Sequence, residues 1–159
     1  DEDGLDAIKK IRAAAQGVVP NQEEMTEFQR DDMADSPDAQ AVARQLWKMA
    51  GIQPSDIDVA ILYDAFSPFV LFQLEAYGFV PRGEAKDFIR DGHIALGGRL
   101  PTNTHGGLLG EGYIHGVNGI LEAVRQIRGT SVNQVAGARH AIATGAVGTA
   151  TSGIILAAP

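Results

Sequence analysis

Asn103–Gly119 reads NTHGGLLGEGYIHGVNG, a run in which glycine recurs at 106, 107, 110, 112, 116 and 119 before the chain settles into a helical pattern. Glycine at this density marks backbone that comes close to something else, and a helix N-terminus directly after it favours negative charge nearby. The spacing puts Gly112 and Tyr113 at the junction, with the Tyr113 phenol in a glycine-lined space at the start of the helix. A close approach at Gly112 leaves no room for a larger side chain. Gly112, Gly116, Gly119 and Ala123 make a smooth stripe that lets the helix lie backbone-close against another element, while His115, Asn118, Glu122 and Arg125 make a polar stripe. Such a helix is expected to be central and buried, with cover supplied by another half or subunit.

Working outward, Ser36-Pro37 and Ser67-Pro68 each combine an N-cap serine with proline at the first helical position. Val42, Leu46, Met49 and Ala50 share a face of the first predicted helix, which Gly51 ends. Val70, Leu74 and Tyr77 share a face of the second, which Gly78 closes. A short helix is expected over Glu84 to Arg90. Ile57 to Tyr63 alternates as a strand and delivers Tyr63 and Asp64 at its carboxyl end, where ligands sit in open α/β sheets. Ile11 to Val19 reads as a buried strand, and Gln134 to Thr144 and Ser152 to Ala158 as two more, joined by a turn around Gly145 and Gly148. Asp1 to Asp6 reads as a lead-in. Asn21 to Asp35 reads as a surface loop pinned by Met25, Phe28 and Met33. Alternating strands and helices give an α/β layered domain.

With 159 residues, 45% of them hydrophobic, the chain is long enough for one domain with a proper core. A net charge of -7 and the absence of any Lys/Arg run argue against nucleic acid or an anionic membrane surface as partner. There is no cysteine, hence no thiol nucleophile, disulfide or thiolate metal site in this stretch. No long apolar run occurs in the first thirty residues or elsewhere, so neither a signal peptide nor a membrane span is expected and the chain reads as cytoplasmic. His93, His105, His115 and His140 lack i,i+4 pairing and a carboxylate at ligand spacing, so no metal site is expected; His105 is expected to hydrogen-bond within its loop and His115 to face a polar layer. Gly110-x-Gly112 is not a dinucleotide fingerprint, because the third glycine and the preceding strand are missing. From the residues alone, Tyr63 and Tyr113 are open to two readings, as packing residues or as paired phenols.

The run from Asn103 resembles the histidine motif of the carboxyl-terminal half of thiolases, in which Asn-x-x-Gly-Gly precedes Gly-His-Pro and a glycine-spaced helix. Asn103, Gly106, Gly107, Gly112, Gly116 and Gly119 keep that spacing, with Tyr113 at the histidine and Ile114 at the proline. Tyr63-Asp64-Ala65-Phe66 is similar to the thiolase Asn-Glu-Ala-Phe and likewise follows a strand. The resemblance covers most of the chain from about Ile11 to Ala158. AGIQPSDIDVA, beginning at Ala50, points within it to the branch of sterol carrier protein thiolases and thiolase-like lipid-transfer proteins. The nearest likeness there is to thiolase-like aldolases that remove steroid side chains.

The resemblance implies a thiolase-like carboxyl-terminal domain, a mixed five-stranded sheet layered with helices, spanning residues 1–159 as the second half of a longer protein. In thiolases the two motif positions build an oxyanion hole. Both are tyrosine here, and the late thiolase cysteine has no counterpart in His140 to Gly148. The implied activity is therefore a lyase reaction, retro-aldol cleavage of a β-hydroxy acyl-CoA, a steroid side-chain thioester, to a ketone and a short acyl-CoA. Tyr63 and Tyr113 are the expected catalytic pair, and Asp64, Asn103, His105, Gly107 and Gly112 the expected substrate-binding residues. An ordinary tyrosine has a pKa near ~10 and is seldom ionised at neutral pH, so concerted proton movement is expected rather than a standing phenolate. No cofactor is expected, CoA arriving as part of the substrate. The implied partners are a second copy, in a thiolase-type homodimer, and a small OB-fold acyl-CoA-binding protein associated with a hydratase. The alternatives are a non-catalytic module binding sterol or lipid thioesters and a degradative acyl-CoA thiolase.

Overall fold

The computed structural model describes residues 11–20, 31–32, 34–112, 114–146 and 151–159. Four strands form one mixed sheet: β1 (Ile11–Gly17), β2 (Val59–Ile61), β3 (His140–Gly145) and β4 (Thr151–Ala157), in the order β1-β4-β3-β2. β4 runs antiparallel to both β1 and β3, while β2 runs parallel to β3. Where the resemblance implies five strands, the described residues form four. The outer edge of β2 carries a parallel bridge between Ala60 and Thr102, closed by Ala60 N–H to Pro101 O at 3.0 Å and Asn103 N–H to Ala60 O at 2.9 Å. That bridge hangs the start of the glycine-rich run on the end of β2.

Alternation along the strands separates two cores. Ala60, Leu62, Ile142 and Ile155 face one side, which is covered by α1 (Pro37–Ala50), α2 (Pro68–Ala76) and α3 (Ala85–Arg90) through Val42, Leu46, Leu74, Tyr77 and Phe88. Val59, Ile61, Ala141, Ala143 and Leu156 face the other, against Ala123 and Ile127 of α4 (Val117–Arg128). Leu46 and Leu74 are fully buried, and each such side chain contributes about 1.5–3 kcal/mol. The prolines do open α1 and α2, but neither Ser36 nor Ser67 makes a side-chain cap bond. Gly51 ends α1 in the left-handed region, its N–H donating to Trp47 O at 2.9 Å.

Three sequence expectations shift. Among the described residues β1 is an edge strand paired to β4 alone, with Ala14 and Gln16 exposed rather than buried. β3 begins at His140 and not at Gln134, because Val135 N–H, Asn133 and Gln134 are engaged by the end of α4 and the loop at Thr104, and Gly137 takes a φ of 72°. α4 begins at Val117, after His115 and Gly116 turn left-handed at φ 45° and 87°, which no continuing helix tolerates. The junction is therefore four residues beyond Tyr113. Tyr113 itself, the pinning residues Met25, Phe28 and Met33 of the expected surface loop, the lead-in Asp1 to Asp6 and Gly148 of the expected turn lie outside the described residues.

Candidate active site

Tyr63 follows β2 at the carboxyl end of the strand, and its backbone is held on both sides. Its N–H donates to Thr144 Oγ1 at 2.9 Å, and its carbonyl accepts from Gln73 Nε2 at 2.6 Å. Thr144 Oγ1 in turn donates to Gln73 Oε1 at 2.5 Å, and Gln73 is fully buried. One side chain from β3 and one from α2 thus clamp the tyrosine's backbone. The Tyr63 ring is half-buried and lies against the start of α4, where a Cβ built on Gly116 would stand 3.8 Å from Tyr63 Cδ2. The positive end of a twelve-residue helix is therefore beside Tyr63, favouring negative charge there by about 0.3–2 kcal/mol.

Asp64 is buried and accepts a hydrogen bond from Leu108 N–H at 2.9 Å. Gly107 backs it at φ 74°, and any Cβ on Gly107 would collide with the Asp64 carboxylate. Glycine is required there both by conformation and by space. Asn103 has its amide committed to the chain: Oδ1 accepts from Leu62 N–H at 2.7 Å and Nδ2 donates to Leu62 O at 3.0 Å. It braces the backbone that presents Tyr63.

Contrary to expectation, His105 makes no hydrogen bond within its loop. Its side chain is 4% exposed and, among the described residues, neither ring nitrogen has a hydrogen-bond partner. Nε2 lies 3.9 Å from Glu111 Oε2, which accepts from Asn118 Nδ2 at 3.0 Å. Gly112 is also placed otherwise than expected. It is exposed, and a Cβ added there meets nothing within 4 Å of the described residues, so its glycine is not explained by crowding within this chain. His115 is exposed.

Tyr63, Asp64 and His105 line one small cavity of about 10 Å³, together with Leu108, Gly116 and Thr144. Gly116 and Thr144 also line a larger cleft of about 460 Å³ that runs over β1, β4 and β3 beside α4, floored by Ala14, Ala143, Gly153 and Ile154. A phenol, a carboxylate and an imidazole lining one small cavity are the components of proton transfer. Among the described residues no group of three His, Asp or Glu side chains could hold a metal ion. Gln73, Thr144 and Glu111 belong to this site and were not singled out from sequence. The signal for Gln73 was present, since it is a polar residue within the apolar face that runs from Val70 to Tyr77; Thr144 and Glu111 carry no comparable local mark.

Residues 20–157 match the thiolase C-terminal domain-like family. The chain is 57% identical over 146 residues to a protein of Mycobacterium tuberculosis named 17-hydroxy-3-oxo-4-pregnene-20-carboxyl-CoA lyase, covering 92% of this chain and 38% of that one. It is 55% identical over 148 residues to a steroid side-chain-cleaving aldolase of Thermomonospora curvata, covering 93% and 38%. Among solved structures it superposes on an Ltp2-ChsH2(DUF35) aldolase with a TM-score of 0.89 and 55% identity, covering 93% of this chain and 39% of the other. The chain thus spans about two fifths of the length of these relatives. No helix among the described residues is long and apolar enough to cross a membrane.

Proposed function

This chain belongs to the thiolase family, matching its carboxyl-terminal domain, and from that premise we propose that the protein containing it is a carbon–carbon lyase. It takes a β-hydroxy acyl-CoA on a steroid side chain, of the kind in the name of the Mycobacterium tuberculosis relative, and releases a ketone and a short acyl-CoA. The observation that carries this reading is Tyr63, clamped through its backbone at the end of β2 and sharing a cavity with Asp64 and His105. The names of the two relatives support it.

In this reading Tyr63 takes the proton of the β-hydroxyl, giving up its own phenol proton in the same movement, while the carbonyl of the ketone forms. The bond between the α and β carbons breaks, its electron pair enters the thioester enolate, and Tyr113 returns a proton to the α carbon. No covalent nucleophile is needed, in keeping with a chain free of cysteine. The helix end beside Tyr63 is the ground for giving it the hydroxyl proton. CoA enters as part of the substrate and no cofactor takes part. The remaining length of the protein supplies the other half of a thiolase fold in the cytoplasm. The exposed apolar residues Val117, Ile120 and Leu121 of α4 give that half, or a second copy in a homodimer, a surface to cover. We extend to this protein a partner of the DUF35 type, after the Ltp2-ChsH2(DUF35) aldolase on which it superposes, and with it the hydratase-associated OB-fold carrier that the resemblance implies.

The test is single-turnover cleavage of 17-hydroxy-3-oxo-4-pregnene-20-carboxyl-CoA by the intact protein. Tyr63→Phe and Tyr113→Phe should each slow it by about 10² to 10⁴ with unchanged melting. The double variant should be no slower than the poorer single one, because the groups act as a unit. Near-native rates in both would leave a thiolase-fold binding module instead, and cleavage of a β-keto acyl-CoA in preference would leave a degradative thiolase.

A further inference from the structure

A neutral phenol is a poor base unless its own proton leaves as the new one arrives. That requirement, which rests on the lyase reading above, asks for a second acceptor next to Tyr63. His105 meets it in three respects. Its side chain is 4% exposed with both ring nitrogens lacking a hydrogen-bond partner among the described residues, and a polar group buried in that state is costly unless something occupies it during function. It lines the same cavity as Tyr63, and that cavity, at about 10 Å³, has the room of a single water. Beside it stands Glu111, outside the lining of that cavity, 3.9 Å from Nε2, with a side chain 34% exposed and steadied by Asn118.

We propose that His105 is the relay residue for Tyr63, receiving the phenol's proton directly or through one water in the shared cavity and passing it outward past Glu111. The step balances. The substrate hydroxyl proton moves to Tyr63 Oη as the Tyr63 proton moves to His105, so Tyr63 ends neutral and the imidazole ends as imidazolium facing the Glu111 carboxylate. The proton that Tyr113 gives to the α carbon is restored from solvent, and the imidazolium releases one to solvent through the exposed end of the pair. Nothing is oxidised or reduced. An imidazole suits this work because one nitrogen accepts while the other donates.

The experiment is single-turnover cleavage of the same thioester by the intact protein carrying His105→Ala, alone and with added imidazoles of graded basicity. The rate should fall by about 10²-fold, imidazole should restore a large part of it, and the restored rate should rise with the basicity of the imidazole added. Tyr63→Phe should not be rescued. A near-native His105→Ala rate, or a lost rate that no imidazole restores, overturns the relay. If His105→Ala does not fold, Glu111→Gln decides: a loss of about two- to fivefold supports the relay and an unchanged rate overturns it. Should Tyr63→Phe itself cleave at the native rate, the lyase assignment fails; should it be inactive while His105→Ala is native, only the relay does.

Discussion

Thr104 and His105 are neighbours in sequence, yet the first side chain is woven into a sealed hydrogen-bonded layer and the second has no hydrogen bond among the described residues. Thr104 Oγ1 donates to Glu122 Oε1 at 2.5 Å and accepts from Gln126 Nε2 at 3.0 Å. The same Glu122 oxygen takes hydrogen bonds from Gln126 Nε2 at 3.0 Å and Ser131 Oγ at 2.7 Å, while Asn133 Nδ2 reaches Thr104 O at 2.7 Å. Glu122 and Gln126 are buried, and every donor around that oxygen has its acceptor. The His105 side chain, one residue on, is also buried and has neither ring nitrogen satisfied. A satisfied buried network fixes geometry, whereas a buried group kept unsatisfied costs stability and is retained where something else is gained. The first cluster holds α4 to the glycine-rich loop; the second sits beside the phenol that the loop and β2 frame.

The contrast can be broken first at the sealed layer. Glu122→Ala deprives Thr104, Gln126 and Ser131 of their shared acceptor, and should lower the stability of the intact protein by about 3 to 5 kcal/mol. Glu122→Gln, which keeps an acceptor oxygen, should cost distinctly less. Chemical denaturation reads both, and loss of activity without loss of stability in either would move Glu122 into the chemistry.

At the open cluster the sign reverses. His105→Leu removes two unsatisfied nitrogens and fills the space with carbon, so melting should stay level or improve by up to about 1 kcal/mol while cleavage falls. A marked drop in stability would mean that the imidazole is structural after all.

The smallest effect belongs to Tyr77, a buried phenol on the other side of the sheet whose hydroxyl has no hydrogen-bond partner among the described residues. Burial first, and the nearby Asp38 carboxylate second, push its pKa well above the ordinary phenol range. A raised folded value means that the native state binds this proton more tightly than the unfolded chain does. Its contribution is thus present below the ordinary value of about 10 and is lost as pH climbs from there towards the folded value. Tyr77→Phe should change neutral-pH stability by no more than about 1 kcal/mol and should flatten the alkaline limb of a melting-versus-pH curve. An alkaline limb identical in the two proteins would show that Tyr77 does not titrate with unfolding.

Local pattern carried much of this. Pro37 and Pro68 start helices and Gly51 stops one, because fixed φ and left-handed caps act within a turn. The alternation Val59, Ala60, Ile61 already assigned residues to the two faces, and the spacing of Gly116, Gly119 and Ala123 already marked the side of α4 that lies on β2, where a Cβ on Gly119 would stand 3.0 Å from Ile61 Cγ2. Tyr63 at the end of its strand and the likeness to thiolases were legible for the same reason, since both rest on short runs of residues. What no local pattern could hold is which distant groups meet. Gln73 and Thr144, 10 and 81 residues away, clamp Tyr63. The start of α4 was likewise a tertiary matter, because His115 and Gly116 turn left-handed where the chain passes the Tyr63 ring. Sequence determined the elements and their faces, whose energies are set within a few residues; only the packed sheet decided which buried polar atoms would be satisfied, because hydrogen bonds between distant segments exist only once both are in place.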